Sequence, residues 1–417
     1  MFSKNDLKKY LKEFSLPSNE NLFSEPHKTI VERLRIGNVN LPVFINEFWT
    51  PKQRQAHSLH EISYRACFKP QLPRFFIQVF SQENDIVYDP FAGRGTTIIE
   101  AALLRRNVLA NDINPLSKIL CKPRLQLPEI SDVEKRLQEI SFEEVDASTL
   151  DLSMFFHSKT LQEILSLRKY LAMKKGNASE DFLDNWIRMI ATNRLTGHSK
   201  GFFSVYTLPP NQAMSAERQK KINIRRNQIP EYRNVKEIIL KKSNELLRDI
   251  SSEEKKILRN ISQKAKFFTS DARTTKEIKS NSVQLTVTSP PFLDVVQYAS
   301  DNWLRCWFNH LDAENVGVKL TMSKSLDNWC CVMKSVFDEL FRVTKRNGYV
   351  AFEVGEVRKG TIRLEEHVAT IGVESGFSCE GIMLNTQRFT KTANIWGVAN
   401  NNKGTNTNRI VVFQKTK

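Results

Sequence analysis

An open α/β sheet interrupted by a large helical insertion is the fold this sequence predicts, and three observations carry it. A short apolar run, Ile86 to Tyr88, gives way to a glycine-rich turn and then to helical spacing of apolar residues from Thr97 onward. A second apolar run, Val283 to Val287, stops at Ser289-Pro290-Pro291-Phe292, whose prolines neither continue a sheet ladder nor fit a helix interior. Between the two, long stretches read as helices.

Composition bounds the answer. The chain has 417 residues, 40% of them hydrophobic, enough for a sizeable core. Its 62 Lys and Arg against 46 Asp and Glu leave a net charge of +16, which favours a polyanionic partner, nucleic acid first. The six cysteines show no zinc-site spacing, so no metal is expected and the thiols read as reduced. No signal core and no apolar run of spanning length is visible, which points to the cytoplasm and to no membrane partner.

Residues 1–50 read as an N-terminal cover or DNA-facing arm, with a short amphipathic helix over Asp6 to Phe14 and the start of a second over Thr29 to Leu34. Phe68-Lys69-Pro70 forms a stiff turn ahead of a helical run, Phe75 to Phe80, and suits one wall of a ligand pocket. Next come strand, glycine loop and helix over Asp85 to Leu104, then a second short strand, Asn107 to Asp112, that ends in a carboxylate. A carboxylate there is placed to accept hydrogen bonds from ribose hydroxyls. The loop matches neither the dinucleotide nor the triphosphate glycine pattern. A nucleoside without phosphates is therefore expected, and S-adenosylmethionine (SAM) fits that description.

Roughly 160 residues separate Asp112 from Asp271, far more than one crossover needs. Thr160 to Met173 and Glu180 to Leu195 have helical patterns, and a loop follows that contains His198, Lys200, Asn211 and Gln212. Glu217 to Arg226 then sets five basic residues (Arg218, Lys220, Lys221, Arg225 and Arg226) against one acid. Such a run suits a phosphate backbone, with Asn211, Gln212 and Asn223 available to read base edges. A solvated basic helix face is the plainer alternative. A helical pair after Pro230, capped at Ser251-Ser252-Glu253-Glu254, returns the chain to the sheet.

Asp271 follows a further short strand and reads either as a ligand contact or as the N-cap of a helix over Thr274 to Ile278. The Ser289-Pro290-Pro291-Phe292 loop offers a hydroxyl, carbonyls without a neighbouring proline N–H, and an aromatic face. That set suits a planar base carrying an exocyclic amine. A helix over Val332 to Val343, a strand over Gly348 to Val354, and an antiparallel pair, Phe377 to Leu384 with Arg409 to Gln414, complete an expected seven-strand sheet.

Together, Asp89-Pro90-Phe91-Ala92-Gly93-Arg94-Gly95-Thr96-Thr97 and Ser289-Pro290-Pro291-Phe292 resemble the cofactor and catalytic loops of SAM-dependent amino-group DNA methyltransferases. Cys67 to Pro73 is similar to the segment that precedes the cofactor loop in that family. The resemblance covers about residues 50–115 and 265–415. It implies a Rossmann-like methyltransferase sheet with the catalytic domain at 51–115 and 265–417 and a target-recognition insertion at 116–264. It also implies SAM contacts from Phe68, Pro70, Asp89, Phe91, Gly93, Gly95, Thr96, Thr97, Asp112 and Asp271, and double-stranded DNA as partner, with a cognate restriction endonuclease as a second. A loop that begins with Ser typifies cytosine-N4 members, while Asp or Asn typifies adenine-N6 members, so the expected reaction is methyl transfer from SAM to the exocyclic N4 of a flipped cytosine in DNA, with adenine N6 in DNA or RNA, or a non-catalytic nucleic-acid-binding scaffold, as alternatives. One departure stands out: the insertion precedes Asp271, one strand earlier than the family usually places its recognition region.

Overall fold

The computed structural model describes residues 4–15, 28–37, 39–49, 56–64, 67–143, 150–207, 214–291, 298–319, 325–355, 362–386 and 408–417. Among the described residues nine strands form one sheet: β1 (Ile30–Ile36), β2 (Val39–Asn46), β3 (Ile86–Asp89), β4 (Asn107–Asn111), β5 (Lys266–Phe268), β6 (Val283–Thr288), β7 (Thr344–Val354), β8 (Ser378–Asn385) and β9 (Asn408–Gln414). Their order across the sheet is β1-β2-β8-β9-β7-β6-β3-β4-β5.

The expected seven strands are present as β8-β9-β7-β6-β3-β4-β5, with β5, β4, β3, β6 and β7 parallel and β9 antiparallel between β7 and β8. The other two correct the expectation for the N-terminal segment. After helix α1 (Lys4–Glu13) the chain does not start a second helix at Thr29 to Leu34 but pairs β1 with β2 across Gly37, which takes φ +57°. Strand β2 then runs parallel to β8, so the hairpin widens the sheet instead of covering it. A run of six residues is too short for period to decide between helix and strand, and the partner strand decides.

Helices cover both faces. They run α2 (Gln71–Phe80), α3 (Thr96–Leu103), α4 (Pro115–Cys121), α5 (Ile130–Glu139), α6 (Ser158–Gly176), α7 (Phe182–Arg194), α8 (Ala216–Arg226), α9 (Val235–Leu247), α10 (Ser252–Lys264), α11 (Tyr298–Phe308), α12 (Ala313–Lys319), α13 (Leu326–Val343) and α14 (Leu364–Glu374). Strand β6 is buried along its whole length, as expected of a central parallel strand. Helices α2 and α3 and insertion helices α6, α7, α9 and α10 contribute to one core cluster, while α13, α14 and the β7-β9-β8 side build the other.

The insertion is fastened to the sheet domain by specific bonds. Asn193 accepts from the Ser63 amide (3.2 Å) and donates to its carbonyl (2.8 Å), Asn309 donates to Thr192 (2.9 Å), and Arg168 donates to the Trp307 carbonyl (3.0 Å). The indole of Trp303 donates to the Met214 carbonyl at 3.1 Å, just ahead of α8. The return helix α10 begins with the expected capping box: Ser251 Oγ accepts from the Glu254 amide and Glu254 accepts from the Ser251 amide.

Candidate active site

Strand order reverses direction between β3 and β6, since the chain moves outward one way through β4 and β5 and the other way through β7. The C-terminal ends of strands at such a switch point frame a crevice in open α/β sheets. Both loops singled out from sequence leave the sheet there, Asp89 to Thr97 from β3 and Ser289 to Pro291 from β6.

The two loops share one hydrogen-bonded frame. Asp89, 1% exposed, accepts from Thr288 Oγ1 at 2.6 Å and from the Phe91 amide at 3.1 Å. Thr97 donates to the Val287 carbonyl at 3.1 Å. Burial pushes the Asp89 carboxyl up to about 7, against the pull of those hydrogen bonds. Gly95 enters α3 at φ +79°, and a Cβ there would lie 2.4 Å from Cys121 Sγ, so this position has no room for another residue. Arg94 ties the loop back to the His60 and Ile62 carbonyls, and Arg124, fully buried, donates to the Arg94 carbonyl.

Beyond the end of β4, Asp112 accepts from the Gly93 amide at 2.8 Å and from the Asn114 amide at 2.9 Å. Desolvation raises its carboxyl to about 6. A carboxylate has about four lone-pair sites, so two backbone donors leave capacity for hydroxyls. Next to it, the Asn111 side chain bridges the Ser270 amide and carbonyl and holds the ends of β4 and β5 together.

Ser289 donates to Glu353 Oε2 at 2.5 Å, and Asn408 donates to the other carboxylate oxygen at 3.1 Å. Glu353 is buried near the end of β7, and desolvation raises its carboxyl above the ordinary range. Pro290 is buried, and the Pro291 carbonyl accepts from the Trp329 indole at 3.0 Å. The carbonyls of Ser289 and Pro290 have no hydrogen-bond partner among the described residues. Glu353 was missed in the sequence. Its signal was a lone acid in the otherwise apolar run Tyr349 to Val354, where a buried charge calls for a purpose.

The remaining candidates divide. Pro70 is buried and caps α2, and Phe68 packs against the core beside it. Phe91 is partly exposed, whereas Thr96 and Thr97 are buried, Thr96 accepting from Arg94 Nε at 3.3 Å. Asp271 caps no helix, because residues 274–278 form turns; its carboxylate instead pairs with Arg273 at 2.6 Å. His198, Lys200, Arg218, Lys220, Lys221, Arg225 and Arg226 are all exposed. Asn223 is no base reader in this arrangement, since it donates to the Met154 carbonyl and accepts from Gln219 and Gln228. Phe292, Asn211 and Gln212 lie outside the described residues. Among the described residues no group of His, Cys, Asp or Glu could hold a metal, and no helix is long and apolar enough to cross a membrane.

Comparison with known proteins meets this site from the sequence side. Residues 1–118, which contain the whole Asp89 to Thr97 loop and Asp112, match the DNA methylase family N6_N4_Mtase. Over 89 residues the chain is 29% identical to the type II methyltransferase M.MjaII of Methanocaldococcus jannaschii, spanning 21% of this chain and 16% of that one. Over 97 residues it is 30% identical to the type II methyltransferase M.MvaI of Kocuria varians, spanning 22% and 20%. The chain thus spans a fifth or less of the length of these two relatives. Among solved structures, the rRNA methyltransferase aviRa of Streptomyces viridochromogenes superposes with a TM-score of 0.34 at 10% identity, over 89% of this chain and 96% of that one.

Proposed function

We propose that this chain transfers a methyl group from SAM to the exocyclic N4 of cytosine in double-stranded DNA. The observation that carries the reading is the shared frame at the switch point, where Asp89–Thr288 and Thr97–Val287 fix the glycine loop against the loop that presents Ser289. The residues fit a nucleoside-bearing group. The glycine turn exposes backbone, Asp112 retains lone pairs for ribose hydroxyls, and Phe68 and Pro70 close the side toward α2. Bound there, SAM supplies an electrophilic methyl group on a sulfonium.

The chain's own part is to orient the amine. Because the Ser289 hydroxyl proton is committed to Glu353, its oxygen has only lone pairs left to offer a third partner. Ser289 is therefore an acceptor for one amine N–H, and the Pro290 carbonyl is an acceptor for the other. Two such acceptors turn the nitrogen lone pair toward the methyl donor, and alignment supplies most of the rate. The nitrogen must shed a proton once it is alkylated. Glu353, reached through Ser289, is a buried base whose raised carboxyl suits that task.

An amine inside a base stack cannot reach this crevice, so the base must leave the helix, with Phe292 as its stacking partner. The exposed cations of α8, next to the Met214–Trp303 link to α11, serve as the phosphate-binding face, with His198 and Lys200 on the neighbouring loop. Serine at the head of the loop favours cytosine. The test is to incubate the protein with SAM and unmethylated plasmid, digest to nucleosides, and identify the product by mass spectrometry. N4-methyldeoxycytidine is expected. N6-methyldeoxyadenosine would overturn the choice of base, and no methylated nucleoside would overturn the reaction.

A further inference from the structure

A cavity of about 310 Å³ lies in the insertion between the C-terminus of α7, the loop after it, and α9. Its walls carry Arg194, Lys200, Lys241 and Lys242 against one carboxylate, Glu245. That volume falls at the low end of small-ligand pockets. We propose that it is a binding site for a phosphate group, with buried Arg194 and Lys242 in its wall and exposed Lys200 and Lys241 around its rim.

The argument turns on how Arg194 is kept. It is 7% exposed, yet its Nε and Nη2 donate only to neighbouring Asn193, to the carbonyl at 3.2 Å and to Oδ1 at 2.6 Å. Nη1 makes no hydrogen bond among the described residues, and no carboxylate there pairs with the guanidinium. Arg124 and Arg188, also buried, are treated differently. Arg124 donates to the Leu120, Leu59 and Arg94 carbonyls, and Arg188 pairs with Glu180 and donates to the Leu171 carbonyl. A desolvated guanidinium without an ion pair is poorly compensated, and a bound counter-ion would supply that compensation. The C-terminal dipole of α7, about half a charge, offsets only part of the desolvation.

The arginine is also held in place. Its guanidinium lies over the Phe202 ring, 4.0 Å from the centroid, and that ring occupies the space beside Gly197, where a Cβ would approach to 2.4 Å. Burial lowers the Arg194 guanidinium to about 10, with nearby Glu245 opposing the shift and Arg305 adding to it. Lys242 is 6% exposed and already bonded to Glu245 at 2.9 Å, while Lys200 and Lys241 are exposed and unpaired among the described residues. Planar donors with flanking ammonium groups match phosphate oxygens.

The phosphate could belong to a DNA backbone or to a small phosphorylated compound, and only the first source rests on the proposed function. Calorimetry of the full chain with inorganic pyrophosphate at low salt is run beside duplex binding by fluorescence anisotropy across a salt series. Wild type is compared with Arg194→Gln and with the surface pair Lys200→Gln/Lys241→Gln, whose folding is checked by thermal midpoint. We expect pyrophosphate binding to weaken at least tenfold in both variants. A salt slope of duplex binding that falls by about 2 in the lysine pair assigns the site to backbone phosphates. Pyrophosphate binding with an unchanged slope assigns it to a free phosphate compound. Wild-type protein that binds no pyrophosphate, together with an unchanged slope, overturns the proposal. A chain that methylates no nucleoside but still binds pyrophosphate through Arg194 would sink the proposed function and leave this site standing.

Discussion

The sheet edge and the insertion treat their polar side chains in opposite ways. At the edge, Asp89, Thr97, Asp112, Thr288, Ser289 and Glu353 are each bonded to a neighbour within the chain. On the insertion, the cations of α8 project into solvent, and among the described residues their one ion pair is Lys220 with Asp151 at 3.5 Å. A pre-bonded network loses little freedom when a substrate arrives, which suits orientation of a reacting atom. Unpaired surface cations release counter-ions on meeting a polyanion, which suits affinity without chemistry. Substitutions at the edge should therefore alter rate, and substitutions on α8 should alter binding.

The largest effect is expected for Ser289→Ala, which removes an acceptor without disturbing the glycine loop. Methylation should slow by about 10²–10⁴-fold, while SAM binding measured by calorimetry stays at the wild-type value; a parallel loss of SAM binding would merge the two loops' roles. Next is Asp89→Asn. The folded carboxyl is raised, so its contribution to stability is fully present at low pH and is lost as pH rises from about 4 through about 7. In the ligand-free protein, wild type should lose on the order of a few kcal/mol across that window. The asparagine variant should lose less, as read from denaturant midpoints at pH 5 and pH 8.

Lys220→Gln combined with Lys221→Gln comes third. Duplex affinity should fall uniformly across sequences, with the salt slope reduced by about 1 to 2 and SAM affinity unchanged. A slope that does not move would return α8 to a solvated face. The smallest effect is expected for Ser251→Ala, which removes one half of the α10 capping box and should cost about 1 kcal/mol of stability, seen as a lower thermal midpoint with methylation retained.

How much of this was legible in the sequence follows the same division. Glycine and proline act locally, so the Asp89 to Thr97 turn, the Ser289 to Pro291 stop and the Ser251 cap were all readable from their own residues. Features created by partners distant in sequence were not. Residues 30–36 became a strand because β2 lies beside them, and Asn223 was taken from DNA reading by Met154, Gln219 and Gln228. Glu353 became part of the site only because β7 lies next to β6, which puts its carboxylate within 2.5 Å of Ser289. Arg194 ends α7, and its burial is likewise set by the tertiary packing.

The central claim is that a buried carboxylate fixes Ser289 as an acceptor, and the pH profile of single-turnover methylation in wild type and Glu353→Gln tests it most directly. The wild-type rate should fall as pH drops through the raised Glu353 carboxyl. Glu353→Gln should be slower by about two orders of magnitude and lack that limb of the profile. A variant with the wild-type rate and the wild-type acid limb would contradict the account.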